Sequence, residues 1–311
     1  MTSLVCGALA FDRILSFDGY FHEHILPEQI HILNLCFVVP EMRQEFGGCG
    51  GNITYSLRLL GESPQIMATV GHDSSPYLAH FDALGIDRQY IRTLSDQYTA
   101  QATITTDKQN NQITAFHPGA SAYAYLNKVS DTRNIGLCVI APDNKRAMLE
   151  HARECAALDI PFIFDPGQML PTFDAAELKE LLKLSHYLTV NDYEAQLFMD
   201  ISKLTLEEIA EQVQALVITK GEKGSIIIEK GKQHIIPAVQ PKQVVDPTGC
   251  GDAFRAGLMF GITRQFDWLT IGRLSNLLGA IKVESVGPQN HHFSIEEIDE
   301  RFYQNFGYRF S

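Results

Sequence analysis

The feature that most constrains the fold is the alternation of short apolar runs with helix-like segments. Runs such as PFIFD and ALVIT are bounded by turn residues, and amphipathic stretches such as RAMLEHARECAAL lie between them. This is the pattern of βα units, whose strands pair in parallel inside a sheet that helices cover. It is clearest over residues 143–220. The sequence therefore predicts an α/β fold with a mostly parallel central sheet.

Two segments, 13–46 and 97–119, interrupt this alternation. The first has no long helical pattern, and the second contains AQATITTDKQNNQITAFHPG, two β-rich arms around a polar turn. Such arms predict a hairpin. We therefore expect a small β-sheet outside the main one, of the kind that covers a ligand. A surface hairpin without a function is the competing interpretation.

The two ends of the chain carry simpler patterns. The run MTSLVCGALAFDR predicts one buried strand with Asp12 at its end, because its apolar part is too short for a leader or a membrane span. In SIEEIDERF, Ser294 and Glu297 form a capping-box pattern. Helical periodicity predicts three C-terminal helices, at about 250–263, 267–284 and 294–305.

Composition excludes several classes of protein. The formal net charge of -12 argues against a nucleic-acid or anionic-membrane binder, because those surfaces need clustered basic residues. The six cysteines include no CxxC pair, which predicts reduced thiols and a cytoplasmic location. A length of 311 residues fits one large α/β domain over residues 1–311.

The stretch VVDPTGCGDAF at 244–254 joins glycines to a carboxylate just before a helical pattern. Backbone N–H groups at a helix start attract anions, and glycines let a phosphate approach them. Asp252 would repel a phosphate, so its position suits a base that takes a proton from an attacking hydroxyl. A helix cap is the competing interpretation.

A second glycine cluster, EFGGCGGNITYSLRLLG at 45–61, precedes an amphipathic helical pattern. Ile53 stands where a dinucleotide-binding fingerprint needs its third glycine, and the sequence contains no GxxxxGK[ST] motif. These departures disfavour a Rossmann oxidoreductase and a Walker-type NTPase. Asn52 suits a contact with a ligand hydroxyl or a helix cap.

Together, GGCGGNITYSLRLLG and VVDPTGCGDAFRAG resemble the two signatures of the PfkB/ribokinase family of carbohydrate and nucleoside kinases. Two segments between these signatures also resemble the family, NDYEAQL and ITKGEKGSIII. The resemblance therefore covers essentially the whole chain. FHEHILPEQIHILNLCFVVPEMRQEFGG and NNQITAFHPGA look most like bacterial adenosine and nucleoside kinases. The resemblance implies a ribokinase-like three-layer sandwich with a small β-lid formed by 13–46 and 97–119.

The resemblance also implies an ATP-dependent kinase that phosphorylates the 5′-hydroxyl of a purine nucleoside such as adenosine. A sugar kinase of the ribokinase or fructokinase type is the alternative. A non-catalytic nucleotide or sugar sensor with the same fold is the alternative from another class. No nucleic-acid or membrane partner is expected, and a homodimer through the lid is the implied assembly.

Site residues follow by resemblance to the family motifs. The implied catalytic base is Asp252, with an anion hole from the amides of Gly249, Cys250 and Gly251. The implied nucleoside contacts are Asp12 with Gly48 and Asn52 at the ribose hydroxyls, Phe116 at the base, and Phe37 and Cys36 at the pocket wall. The implied ATP contacts are Asn191, Thr219, Lys220, Gly221, Gly224, Gly249 and Gly251.

The implied ions are Mg²⁺, organised by Asn191 and Glu194, and K⁺ as a candidate monovalent ion. Three positions depart from the pattern of adenosine kinases. Ala8 and Cys36 stand where those enzymes have small hydroxyl residues, and Ala102 stands where they have a second aromatic. With these departures, the sequence indicates phosphorylation of a nucleoside but does not define which base is preferred.

Overall fold

The computed structural model describes residues 2–25, 32, 34–109 and 111–310. Its strands are β1 Thr2–Cys6, β2 Ala10–Ser16, β3 Glu41–Gly47, β4 Gln65–Gly71, β5 Ile91–Leu94, β6 Ala100–Thr106, β7 Gln112–His117, β8 Ile135–Ile140, β9 Phe162–Phe164, β10 Tyr187–Asn191, β11 Ala215–Thr219, β12 Ser225–Glu229 and β13 Lys232–Ile236. Its α-helices are α1 Cys49–Leu59, α2 Ser75–Leu84, α3 Lys145–Ala157, α4 Ala175–Leu184, α5 Asp192–Ser202, α6 Leu206–Glu211, α7 Cys250–Thr263, α8 Trp268–Val283 and α9 Ile295–Phe306.

The main sheet has the strand order β13-β12-β11-β10-β9-β8-β1-β4-β5 within the described residues. The pairs from β11 to β5 are parallel, and β12 and β13 add an antiparallel edge. Because parallel strands need helical crossovers, the sheet is covered on both faces. The predicted α/β fold with a mostly parallel sheet is confirmed.

Alternating side chains divide the core into two layers, as expected when neighbouring residues of a strand point to opposite faces. On β1, Val5 packs in the cluster that holds α1, α7 and α8. Leu4 and Cys6 pack in the cluster of α3, α4 and α5. The result is the predicted three-layer sandwich.

A separate four-stranded sheet has the order β3-β2-β6-β7. β6 and β7 are antiparallel, with Ala102 opposite Phe116, which confirms the predicted hairpin. All four strands fall in or next to the two segments predicted to form the lid, and we call this sheet the lid sheet. Positions 26–31, 33 and 110 of those segments lie outside the described residues.

The prediction of one N-terminal strand ending at Asp12 is wrong. β1 ends at Cys6, and the chain enters β2 of the lid sheet at Ala10. Between them the backbone crosses the start of α1 so closely that a Cβ on Gly7 would lie 2.9 Å from the Gly50 Cα. The connecting residues are apolar because they are buried, so their composition did not reveal the change of sheet.

The three predicted C-terminal helices are confirmed as α7, α8 and α9. Ser294 caps α9 in a reciprocal capping box with Glu297. All six cysteines are free thiols. Across the described part of the chain, no helix combines the length and the apolar character that a membrane crossing requires.

Candidate active site

The glycine turn before α7 has the geometry of an anion site. Gly249 has a φ of 82°, and a Cβ on it would lie 2.8 Å from the Pro288 Cβ, so glycine is required there. The Cys250 amide already donates to the Pro247 carbonyl at 3.2 Å. The amides of Gly249, Gly251 and Asp252 have no acceptor among the described residues. These free N–H groups and the positive end of the helix would stabilise a phosphoryl group.

Asp252 lies half-buried in the first turn of α7, beside these amides. The Asn52 side-chain amide donates to its Oδ2 at 2.8 Å. Burial raises the pKa of Asp252 to about 6, although the Asn52 hydrogen bond opposes this rise. A carboxylate with a pKa nearer to neutrality is a stronger base, which suits proton abstraction.

Asn52 is fixed by a buried network that the sequence did not reveal. The Gln289 side-chain amide donates to Asn52 Oδ1 at 3.0 Å and to the Tyr77 hydroxyl at 2.7 Å. Tyr77 in turn donates to the Gly47 carbonyl at 2.7 Å. Because its oxygen faces Gln289, Asn52 must present its NH₂ group to Asp252. No spacing signal links residues so far apart in the chain.

Asp12 is a half-buried carboxylate on β2, where it pairs with Glu45 on one side and Ala102 on the other. Burial raises its pKa to about 6, and the negative charges of Asp252, Glu45 and Asp246 add to the effect. None of the described residues donates a hydrogen bond to its side chain. Its oxygens are therefore available for ligand hydroxyls.

The glycines beside Asp12 make room for it. A Cβ on Gly47 would collide with the Asp12 carboxylate. Gly48 has a φ of 84°, and its Cβ would lie 2.8 Å from the Ala10 nitrogen. Side chains at either position would therefore close the space between the lid sheet and α1.

Phe116, predicted to contact the base, and Phe37, predicted at the pocket wall, lie in the two predicted lid segments. Phe116, on edge strand β7, is 60% exposed, which is unusual for an aromatic without a partner surface. Phe37 packs against Phe17 and Phe21, with ring centroids 4.7 and 5.2 Å away. Cys36 beside it is exposed. The structure places Phe37 within the lid's aromatic cluster, and Phe116 offers the free ring.

A cavity of about 770 Å³ extends from the glycine turn along the carboxyl end of β11. Ligands in open α/β sheets bind outside these strand ends. Lys220 does not line the cavity, and its amide donates to the Gly224 carbonyl at 2.8 Å. The residues that line the cavity include Thr219, Gly221, Gly224, Cys250, Gly251 and Asn276.

Asn191 and Glu194 form a reciprocal capping box at the start of α5, with amide-to-side-chain distances of 2.7 and 2.8 Å. Asn191 also ends β10 in register with Thr219, so the pair lies at the same sheet edge as the cavity. Burial raises the pKa of Glu194. Among the described residues, no three His, Cys, Asp or Glu side chains cluster as metal ligands. One carboxylate fits Mg²⁺ held mainly by phosphates and water.

The structure adds a buried ion pair to the predicted site. The Arg255 guanidinium on α7 binds both carboxylate oxygens of Asp165, with 2.7 Å between Nη2 and Oδ1. It also donates to the Gly251 carbonyl at 3.1 Å. The pair anchors the start of α7 to the end of β9. The only sequence signal was DPGQ after an apolar run, which places a carboxylate at a strand end.

Comparison with known proteins confirms the resemblance. The pfkB family carbohydrate kinase model matches residues 22–294. Burkholderia thailandensis nucleoside kinase in complex with inosine is 50% identical, with a TM-score of 0.91 and 99% of each chain covered. The structure of the same enzyme in complex with ADP-inosine is 51% identical to this chain, with a TM-score of 0.88. The match covers 99% of this chain and 97% of that one.

Among curated proteins, a nucleoside kinase from Methanocaldococcus jannaschii is 29% identical over 97% of both chains. The fold of this chain thus matches that of the Burkholderia enzyme over nearly the full length of both chains. Because the family model spans most of the sequence, the chain belongs to the pfkB family of carbohydrate kinases, which are ATP-dependent phosphotransferases.

Proposed function

We propose that this chain transfers the γ-phosphoryl group of ATP to the 5′-hydroxyl of a purine nucleoside such as adenosine. The observation that carries the proposal is the position of Asp252. Its carboxylate, with a pKa raised by burial to about 6, adjoins the unpartnered amides at the start of α7. A base and an anion site side by side are what phosphoryl transfer to a hydroxyl requires.

The residues divide the chemistry as follows. The cavity from Thr219 to Gly251 holds the nucleotide, and the start of α7 faces its terminal phosphate. Asp252 accepts the proton of the attacking hydroxyl, and the new P–O bond forms as the bond to the ADP oxygen breaks. The free amides stabilise the charge on the transferred group. Mg²⁺, held near Glu194 through the phosphates, would neutralise further phosphate charge when bound.

A ribonucleoside acceptor is supported by Asp12 and Phe116. Asp12 has two oxygens without a protein donor, and two vicinal ribose hydroxyls are matching donors. Phe116 offers an exposed ring on β7 of the same sheet, and the small Ala102 of β6 stands in register between it and Asp12. The Burkholderia relative binds inosine, a purine nucleoside. We place the diol at Asp12 and the base at Phe116.

The test compares adenosine with 2′-deoxyadenosine as acceptors. The deoxy analogue leaves Asp12 with one hydrogen bond fewer in a half-buried site, so its kcat/KM should be lower by about tenfold or more. Asp12→Ala should remove most of that preference. Ribose and fructose are measured in parallel. If either sugar is phosphorylated more efficiently than every nucleoside, the acceptor is a sugar and the proposal is wrong.

The same assay tests the base contact. Phe116→Ala should raise KM for adenosine, because stacking on an aromatic ring contributes about 1–3 kcal/mol per base. Any activity on ribose should stay nearly unchanged, since ribose has no base. Ile113→Ala is the matched control, because Ile113 is an exposed residue of the same strand on the opposite face. Equal effects of the two substitutions would contradict the assignment.

The proposal includes a homodimer formed through the lid. β7 is an edge strand of the lid sheet whose residues are all exposed. An uncovered edge presents unpaired backbone groups that another chain can bind. Light scattering of the purified protein measures the assembly, and a monomer at assay concentration would remove this part of the proposal.

A further inference from the structure

Lys282 is a lysine with no exposed surface, in the last turn of α8. Its Nζ donates to the carbonyl oxygens of Asp246, at 2.8 Å, and Ser285, at 3.1 Å. No carboxylate oxygen in the described part of the chain lies within ion-pair distance of it. Both partners are thus backbone carbonyls, and the phosphoryl transfer described above does not use this lysine.

A buried ammonium without a carboxylate partner is costly, so its position needs a reason. Burial lowers the pKa of Lys282, but the negative fields of Asp246 and Glu45 favour the charged form. The Lys282 charge acts on the glycine turn. Burial raises the pKa of the Cys250 thiol, and the Lys282 charge lowers it. Lys282 therefore contributes positive charge behind the predicted anion hole.

The two carbonyls belong to the loops that shape the turn. Asp246 begins DPTGCGD, and its carboxylate accepts from the amides of Thr248 and Gly287, both at 2.9 Å. Ser285 lies on the loop that follows α8. Lys282 thus joins the loop before α7 to the loop after α8, at the place where Gly249 contacts Pro288.

This arrangement does not fit the K⁺ ion that the family resemblance suggested. K⁺ binds in proteins to converging backbone carbonyl oxygens. Here the carbonyls of Asp246 and Ser285 converge on an ammonium group that already has the same unit charge. A K⁺ ion at this position would have to displace Lys282 and would repel it.

We propose that Lys282 is a positioning residue that supplies a built-in cation beneath the glycine turn, so that phosphoryl transfer proceeds without K⁺. This inference rests on the proposed kinase function. It deepens that function because it names the side chain that holds the loop of the anion hole in place and sets a positive charge beneath it.

The first experiment measures nucleoside phosphorylation by the wild-type protein as K⁺ replaces tetramethylammonium at a constant ionic strength of about 0.1 M. Because the cation is built in, kcat should change by less than about twofold. A severalfold rise in kcat with K⁺ would overturn the proposal. This measurement needs no variant, so it decides the question even where a substitution prevents folding.

The second experiment substitutes Lys282→Met, which keeps most of the apolar stem of the side chain, is one atom shorter and removes the charged Nζ. In tetramethylammonium its kcat should fall by at least about tenfold, with KM for the nucleoside little changed, because the anion hole loses its support. K⁺ or NH₄⁺ should restore part of the loss, since either cation can take the vacated position between the carbonyls. A purely structural lysine would show no such rescue.

Lys183→Met, on the exposed surface of α4, is the matched control and should keep wild-type kcat in every salt. Normal kcat in Lys282→Met, or a loss that neither K⁺ nor NH₄⁺ restores, would overturn the proposal. Failure of the proposed nucleoside kinase function can be told apart from failure of the Lys282 proposal. If no nucleoside is phosphorylated, both experiments are repeated with the best sugar acceptor, and the cation response then tests Lys282 by itself.

Discussion

At the scale of single residues, Asp252 and Asp12 differ in their partners rather than in their pKa. Burial raises both pKa values to about 6. Asp252 accepts from Asn52 and adjoins the amides of α7, whereas Asp12 has no donor among the residues that the structure describes. The first environment suits a base beside a phosphoryl group, and the second suits a carboxylate that binds hydroxyls.

Asp252→Asn should lower kcat by about 10²-fold or more while KM changes little, because the amide cannot accept the proton in the transition state. Steady-state kinetics measure both parameters. A thermal shift on ADP binding shows that the variant is folded. Near-normal kcat in a folded variant would show that Asp252 is not the base.

The pH profile of kcat/KM should fall on the acid side near pH 6. Burial raises the pKa of Asp252 from 3.8 to about 6, so the carboxylate is ionised above that pH and takes up a proton as the pH drops through it. The pKa of Asp12 lies at about 6 as well, so the wild-type limb should be steeper than for one group. In Asp12→Ala the slope should approach one. A limb near pH 4 would contradict both assignments.

At the scale of elements, the start of α5 combines a helix cap with the residues predicted to organise Mg²⁺. Asn191 and Glu194 cap each other's backbone amides, so the helix-cap interpretation of this pair is fully realised. The cap also places the free Glu194 oxygen at the sheet edge shared with Thr219. A capping role and a role near Mg²⁺ are therefore compatible, and one substitution separates them.

Glu194→Gln should raise the Mg²⁺ concentration needed for half-maximal rate, because a neutral amide is a poorer acceptor for the waters of a cation. The helix should keep its stability, since glutamine at this position also completes a capping box. A Mg²⁺ titration and a melting curve measure the two effects. An unchanged titration would leave Glu194 as a cap only.

The lid sheet should close over the bound nucleoside. Closure would exclude water that competes for the phosphoryl group, and Asp12 and Phe116 both lie on this sheet. Residues 13–46 and 97–119 should then gain hydrogen-exchange protection on binding adenosine, while β8 in the main sheet should not. Equal exchange in the free and saturated protein would argue against closure.

At the scale of the whole molecule, the site joins segments from the entire chain. β2 contributes Asp12, α1 contributes Asn52, α7 contributes Asp252, and the loop after α8 contributes Gln289. The buried pair of Arg255 and Asp165 fixes α7 to the sheet. Packing of the sandwich, rather than local sequence, therefore sets the distance between the Asp252 and Asp12 carboxylates.

Arg255→Met should destabilise the fold by about 3–5 kcal/mol, because it leaves Asp165 buried without its partner. Urea denaturation measures the change in the free energy of unfolding. Arg153→Met is the matched control: its pair with Glu180 is also bidentate, at 2.7 and 2.9 Å, but exposed, and should contribute under about 1 kcal/mol. Similar losses in the two variants would contradict this account.

Local sequence patterns were enough to predict the βα alternation, the hairpin and the C-terminal helices, and they located the two glycine motifs. These follow from local periodicity and from backbone positions such as Gly249, where only glycine is free of a clash. The motif before α7 also pointed to Asp252 as a candidate base, because a carboxylate next to an anion-binding turn is unusual at the level of sequence alone.

The folded structure was needed to show where β1 ends and β2 begins, since the apolar run LVCGALAF passes unbroken from β1 through the connection into the first residues of β2. It also decided the network through Gln289 and Tyr77 and the buried position of Lys282. These contacts join residues more than 200 positions apart, or place a charge in the interior, and hydrophobic periodicity carries no information about either. Burial and hydrogen-bond geometry arise when the layers pack, and they set the chemistry of the site.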